Sequence, residues 1–331
     1  MRTSRSIQLA ATLVALAGLV SMAVAPVRAA SVKPKSKPKA TPATTAKAGA
    51  ASGGPSIAGC PVFPADNAWN RDISALAVHP QSSTWVTSVS QSKQVLHPDT
   101  GSDPSYGIPV VIVPAPQRRV PITYVDYGDE SDPGPFPIPL NATIEGGGDG
   151  HIIVVQTGTC KLFELFGASR TGAGFSASSG ATFDLRSNAV RPLGWTSADA
   201  AGLAILPGLM RFDEVRSGEI RHALRFTVQR SQQGFIAPAR HSAGKDDATL
   251  PPMGARFRLR SDFDVTPFNG DALVILKALK RYGMFVADNG SSWYITGAAD
   301  PRWNDDDLGQ LKKVPGSAFE VVDTGPITPR P

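Results

Sequence analysis

Two cysteines, Cys60 and Cys160, are the whole thiol complement of this 331-residue chain. Neither has a second thiol nearby, so the cysteine-clustered zinc centres are excluded and a single bond between the two is the natural use. Histidine is almost as scarce, at five. No His-Glu-x-x-His pair occurs, and His79, His97 and His241 sit among Pro or Ser without metal-ligand spacing. A Gly-x-Ser-x-Gly nucleophile elbow is also missing. Zinc hydrolysis and serine acyl transfer therefore have no support. Acidic residues are absent from the first 56 positions, which hold eight Lys and Arg; because the whole chain is formally +5, residues 57–331 carry −3. A mildly acidic folded part argues against nucleic acid as its ligand. Beyond the N-terminus no segment approaches the ~20 apolar residues of a membrane-spanning helix.

What is present begins with an address. Arg2 and Arg5 precede an apolar stretch from Ile7 to Val24, and Val27 and Ala29 fit a small-x-small cleavage site. Residues 1–29 read as a secretory signal peptide, with an uncleaved anchor as the alternative. Residues 30–56 are Lys, Pro, Ala, Thr, Ser and Gly with almost nothing to bury, the composition of a disordered linker. Its lysines can meet anionic envelope polymers, or it simply spaces the domain from the membrane. In an exported chain the cysteine pair is expected to be a disulfide, and closing a ~100-residue loop would restrict the unfolded chain by about 4–5 kcal/mol in the entropic picture.

From residue 57 onward no composition break marks a second domain. Short apolar-alternating runs dominate: "IPVVIVP", "VPITYVDY", "HIIVVQ", "CKLFELFG", "EIRHALRFTV", "ARFRLR", "MFVA", "SWYITG" and "AFEVVD". "DALVILKALKRYG" is the one clear helix, with Leu273, Leu276 and Leu279 expected on its buried side and Asp271 and Lys280 exposed. The expectation is a mainly β, single-domain antiparallel β-sandwich or jelly roll with a few short helices.

"IEGGGDGHIIVVQ", residues 144–156, needs separate attention. A phosphate loop requires a following Lys-Ser/Thr and a helix, and a dinucleotide fingerprint also requires a helix. Here a strand follows. The glycines are instead a tight approach that sets Glu145, Asp149 and His151 at the strand's start. If Gly158-Thr159 turns the hairpin, Ile153 opposes Glu164, and His151, Ile153, Val155, Leu162, Glu164 and Phe166 share a face; a one-residue longer turn would separate His151 from Glu164. His222, between Ile220 and Leu224, also projects from an apolar strand face. Glu145, His151, Glu164 and His222 are the candidate catalytic groups, gathered at one concavity, because apolar walls shift carboxyl and imidazole pKa values toward neutrality. The competing reading is that Glu164 and His222 are separately buried and satisfied by backbone. Trp293 and Tyr294 are candidate sugar-stacking residues, and Arg186, in "FDLRSN", is a candidate polar wall. No cofactor is expected; the acidic runs Asp129–Asp132 and Asp305–Asp307 leave calcium open without the spacing of a known loop.

Across roughly residues 60–323, "CPVFPADNAWNRDIS", "YGDESDPGPFPIP", "FDLRSNAVRPLGWTSADAAGLAILPGLMRFDEV", "GEIRHALRFTV", "LKRYGMFVADNGSSWYI" and "PGSAFEVVD" resemble a family of secreted, largely actinobacterial, uncharacterised proteins. The resemblance implies export and one domain, and no catalytic residue. The functional expectation is a secreted polysaccharide hydrolase or lyase acting in the cell envelope or environment; the alternative is a non-catalytic carbohydrate-binding or wall-associated module.

Overall fold

Ile152–Gln156 is buried at every position, and the reason is topological. Lys161–Phe166 pairs with it antiparallel on one side and Val110–Val113 pairs with it parallel on the other. Ser179–Asp184 completes this four-stranded sheet. Ile153, Val155, Leu162 and Ala181 belong to one large apolar cluster, whereas Ile152, Val154, Phe163 and Leu165 belong to a second, smaller one. A strand covered on both faces needs apolar side chains at consecutive positions, which this run supplies. The hairpin register is Gln156 opposite Lys161 and Ile153 opposite Glu164, so His151 and Glu164 do lie on the same side.

The computed structural model describes residues 54–331, which fall within one compact unit. The signal segment 1–29 and nearly all of the linker 30–56 lie outside the described residues. Its last residues correct the expected boundary. Pro55 is buried, its carbonyl accepts from Val62 N–H at 2.8 Å, and Ser56 pairs with Pro61. Among the described residues no helix is long and apolar enough to cross a membrane.

The second large sheet runs Phe319–Val322, Arg256–Leu259, Met284–Asn289, Leu224–Val228, Tyr294–Thr296, His97–Asp99. Strand exceeds helix, so the β-rich class with a few short helices holds. The purely antiparallel expectation is corrected: Leu224–Val228 runs parallel to Met284–Asn289, and Tyr294–Thr296 runs parallel to His97–Asp99. Parallel neighbours need a long crossover. Here the chain between the first two includes the helix Gly270–Arg281. The strand expected from Glu219 begins only at Leu224.

That helix buries Ala272, Ile275, Leu276 and Leu279, an i, i+3, i+4 stripe. Leu273 is only partly buried, and Asp271 is buried rather than exposed. The short helix Asp305–Gly309 packs against the N-terminal end, where Asp271 N–H donates to Asp307 Oδ2 at 3.2 Å. Lys280 is half-buried because its ammonium donates to the Ser261 and Phe263 carbonyls. Cys60 and Cys160 are bonded, with Sγ atoms 1.99 Å and Cα atoms 5.4 Å apart. The bond ties the start of the domain to the turn between Ile152–Gln156 and Lys161–Phe166.

Candidate functional site

The glycine-rich loop folds back on itself. Glu145 N–H donates to the His151 carbonyl at 3.0 Å, and Ala168 N–H donates to the Gly150 carbonyl at 3.0 Å. Gly148 and Gly150 have φ of +114° and +61°, a region L side chains avoid. The return brings Glu145 Oε2 to His151 N–H at 3.2 Å and against His151 Nδ1. His151 Nε2 lies 3.2 Å from the Ala198 carbonyl. A carbonyl only accepts, so Nε2 carries a hydrogen and Nδ1 faces the carboxylate. The imidazole is buried. Burial alone would lower its pKa, but the Glu145 hydrogen bond and charge outweigh that and hold it above the ordinary histidine value.

Glu145 and His151 stand on one wall of a cleft of about 320 Å³ that also exposes Asp99, Asp149, Arg225, Asp288 and Tyr294. The volume falls at the lower end of the ~300–1,000 Å³ usual for small-ligand sites. Arg225 forms the buried floor. Its Nε and Nη2 reach Asp199 Oδ2 and Oδ1 at 3.1 and 2.8 Å, and its Nη1 reaches Thr296 Oγ1 at 2.6 Å. Asp288 sits at the end of its strand, half-buried, accepting from Asn289 N–H at 2.7 Å and Ala200 N–H at 3.3 Å. Burial, then the Asp199 charge, push its carboxyl up to about 7, against the opposing pull of Arg225. Burial also raises Asp99. Tyr294 takes a hydrogen bond from Lys93 Nζ at 2.9 Å, and His97 stacks on its ring at 4.1 Å between centroids. Burial, Lys312 and Lys93 lower His97 to about 4.

Of the four expected catalytic groups, then, the fold joins Glu145 and His151 and separates the other two from the cleft. Glu164 is fully buried; its two oxygens accept from Ile205 N–H at 3.0 and 2.9 Å and from Leu206 N–H at 2.9 Å. It caps backbone donors that would otherwise be orphaned in the core. His222 is also fully buried, with Nδ1 2.7 Å from the Ala223 carbonyl and Nε2 3.0 Å from Glu214 Oε2. Trp293 cannot stack on a sugar: it is fully buried, its ring packed against Phe226, Phe257 and Phe319. Arg186 is exposed beside the disulfide, donating to the Gly158 carbonyl at 2.9 Å. Tyr294 does line the cleft.

Asp288, Arg225 and Asp99 were missed. Asp288 opens an Asp-Asn-Gly run that reads as hairpin punctuation, and Arg225 reads as the solvent face of an alternating strand. The usable signal is Arg225 itself, an arginine in a strand within a core-like run, which demands a buried carboxylate partner. The acidic runs have structural uses: Asp132 pairs with Arg191, Glu130 accepts from Thr196 N–H and Asp305 from Ser102. Among the described residues no group of three or more His, Cys, Asp or Glu is arranged to hold a metal ion. No protein-family profile, curated protein or solved structure matches the chain.

Proposed function

We propose that the protein is an exported glycan hydrolase whose reaction centre is the Glu145–His151–Asp288 cleft. The observation that supports this reading is one cleft lined by two carboxyls in different settings, Asp288 withdrawn from water and Glu145 hydrogen-bonded to an imidazole. Asp288 is pushed up to about 7 by burial, and so keeps a proton to donate at neutral pH. Glu145 is hydrogen-bonded to an imidazole held above the ordinary histidine value, so it faces a ring that donates to it. Glycoside hydrolysis needs that division: one acid to protonate the departing glycosidic oxygen, one carboxylate to act as base or nucleophile at the anomeric carbon. Glu145 Oε2 is engaged by His151, which leaves Oε1 for the substrate side. His151 positions Glu145 and does not itself take the proton, because its nitrogens are already committed to Ala198 and Glu145.

Export rests on the N-terminal segment, and the disulfide is consistent with an extracellular location. The resemblance to a secreted actinobacterial family adds to it. The sandwich-like layering belongs to the same proposal; its support is that strands of both large sheets contribute to one apolar cluster. The one arginine lining the cleft, Arg225, is already paired with Asp199, which leaves it unavailable to a phosphate backbone.

The test is the purified protein on a panel of envelope and environmental polysaccharides, scored for reducing-end release and for retention on insoluble polymer. Glu145→Gln and Asp288→Asn are each expected to lower turnover by at least about a thousandfold with the melting temperature nearly kept. kcat/KM should fall as pH rises through about 7, when Asp288 loses its proton. Retention without release, unaffected by either substitution, would establish the non-catalytic module instead.

A further inference from the structure

A second hollow of about 240 Å³ adjoins the cleft and shares two of its lining residues, Phe166 and Asp288. Its far side is formed by Tyr127, Thr196 and His241. Three features make it a prepared surface. The first is Tyr127, an aromatic residue left 48% exposed. Its backbone is fixed at both ends: its N–H donates to the Ser178 carbonyl at 2.9 Å, and its carbonyl accepts from Ser131 Oγ at 2.6 Å and Glu130 N–H at 3.2 Å. An exposed ring on an anchored backbone offers apolar area at low ordering cost. The second is His241. Its Nδ1 lies 2.7 Å from the Ala200 carbonyl, so that nitrogen carries the hydrogen, and its Nε2, 4.0 Å from Glu130 Oε2, is the nitrogen left for a ligand. The third is the floor, Thr196–Ala200, which is held by buried polar bonds: Ser179 Oγ to the Ser197 carbonyl at 2.7 Å, Ser197 Oγ to the Asp199 carbonyl at 2.9 Å, and Asp199 to Arg225.

We propose that this hollow is a second sugar subsite, so that the substrate is a chain with one unit on each side of Asp288. It rests on the hydrolase reading above and adds a direction to it. Glu145 and His151 line only the first cleft, so the sugar whose anomeric carbon is attacked lies there. Asp288, on the boundary, protonates the bridging oxygen. The departing unit then lies in the second hollow, its ring on Tyr127 and a hydroxyl hydrogen-bonded to His241 Nε2. The bond balance is simple: the anomeric carbon–oxygen bond breaks with its electron pair on the leaving oxygen, which takes the Asp288 proton; a water oxygen bonds to the anomeric carbon and gives up one proton to a cleft carboxylate, so no net proton is consumed. A protein built this way prefers oligosaccharides to substrates with small leaving groups.

The experiment compares two substrates of the sugar whose polymer the panel shows to be degraded: its tetrasaccharide, and its glycosyl fluoride, whose leaving group is one atom and does not enter the second hollow. The ratio of their kcat/KM values is expected to fall about tenfold in Tyr127→Ala and to recover in Tyr127→Phe, the size of one aromatic contact. Melting temperatures of both variants report whether the fold survived; if Tyr127→Ala is unfolded, His241→Gln is read in its place, with the same expected fall in the ratio. Polymer turnover with an unchanged ratio in these variants would overturn the subsite while leaving the hydrolase standing. No turnover of any polymer or fluoride by the unaltered protein would overturn both.

Discussion

Glu164 and Asp288 are both carboxyls withdrawn from water, and backbone donors and access separate their roles. Burial pushes each up to about 7. Glu164 has no exposure and spends both oxygens on Ile205 and Leu206 N–H groups; Asp288 opens on the cleft. Removing Glu164 leaves two core N–H groups unpaired, each worth about 1–3 kcal/mol. Glu164→Ala is therefore expected to lower the urea-denaturation free energy by about 3 kcal/mol. Glu164→Gln keeps one accepting oxygen and should cost less. Both should retain turnover in proportion to the folded fraction. If Glu164→Gln were as stable as the parent and inactive, the capping role assigned here would be wrong and the carboxyl would be chemical after all.

At the scale of elements, the loop 145–151 determines whether Glu145 meets His151. Gly150 has φ +61°, and a Cβ there would stand 3.2 Å from Ala168 N. Gly150→Ala is expected to cost about 1–2 kcal/mol and to reduce turnover, because the strain is relieved most easily by moving His151. Gly172→Ala is the control: its Cβ meets nothing within 4 Å, and its melting temperature should stay within a degree or so of the parent. This loop was largely legible in the sequence. Glycines followed by a strand exclude a phosphate loop, but two turn lengths were open at Gly158, and the observed register, Ile153 opposite Glu164, decides which residues share a face with His151. Period-two alternation also marked most strands. It says nothing about which strands are neighbours, so the parallel pairs of Leu224–Val228 and Tyr294–Thr296 were not readable. Nor were Tyr127, His241 and Asp288, which sit in turn-like stretches where a solvated polar residue is the default. Their role comes from three distant segments meeting at Phe166. His222 looked like a partner for Glu164 because alternation was carried back past Leu224; the helix Phe212–Arg216 instead brings Glu214 to it.

For the whole molecule, these local shifts sum to a pH dependence of stability whose sign can be worked out. Glu164 and Asp288 rise from 4.5 and 3.8 to about 7. Between those limits the folded chain binds more protons than the unfolded one, so their contribution is complete below about pH 4 and is lost as pH rises through 7. His151, raised above 6.5, adds in the same direction. His97, lowered from 6.5 to about 4, opposes them: it favours folding above 6.5 and that support is lost as pH falls toward 4. Surface carboxyls held low by their partners, such as Asp184 and Asp300, are ionised in both states above about pH 5 and add no slope there. Two carboxyls and one imidazole therefore outweigh one imidazole. Stability should be highest near pH 4 and decline as pH rises, by about 2–3 kcal/mol between pH 6 and pH 8. Thermal unfolding across that range checks the slope, and the double variant Glu164→Gln, Asp288→Asn separates its sources. With both carboxyls replaced, only the opposing imidazoles remain and the curve should flatten or reverse. An unaltered decline in the double variant would mean that neither carboxyl holds its proton in the folded state, and Asp288 would then have none to give a departing sugar at neutral pH.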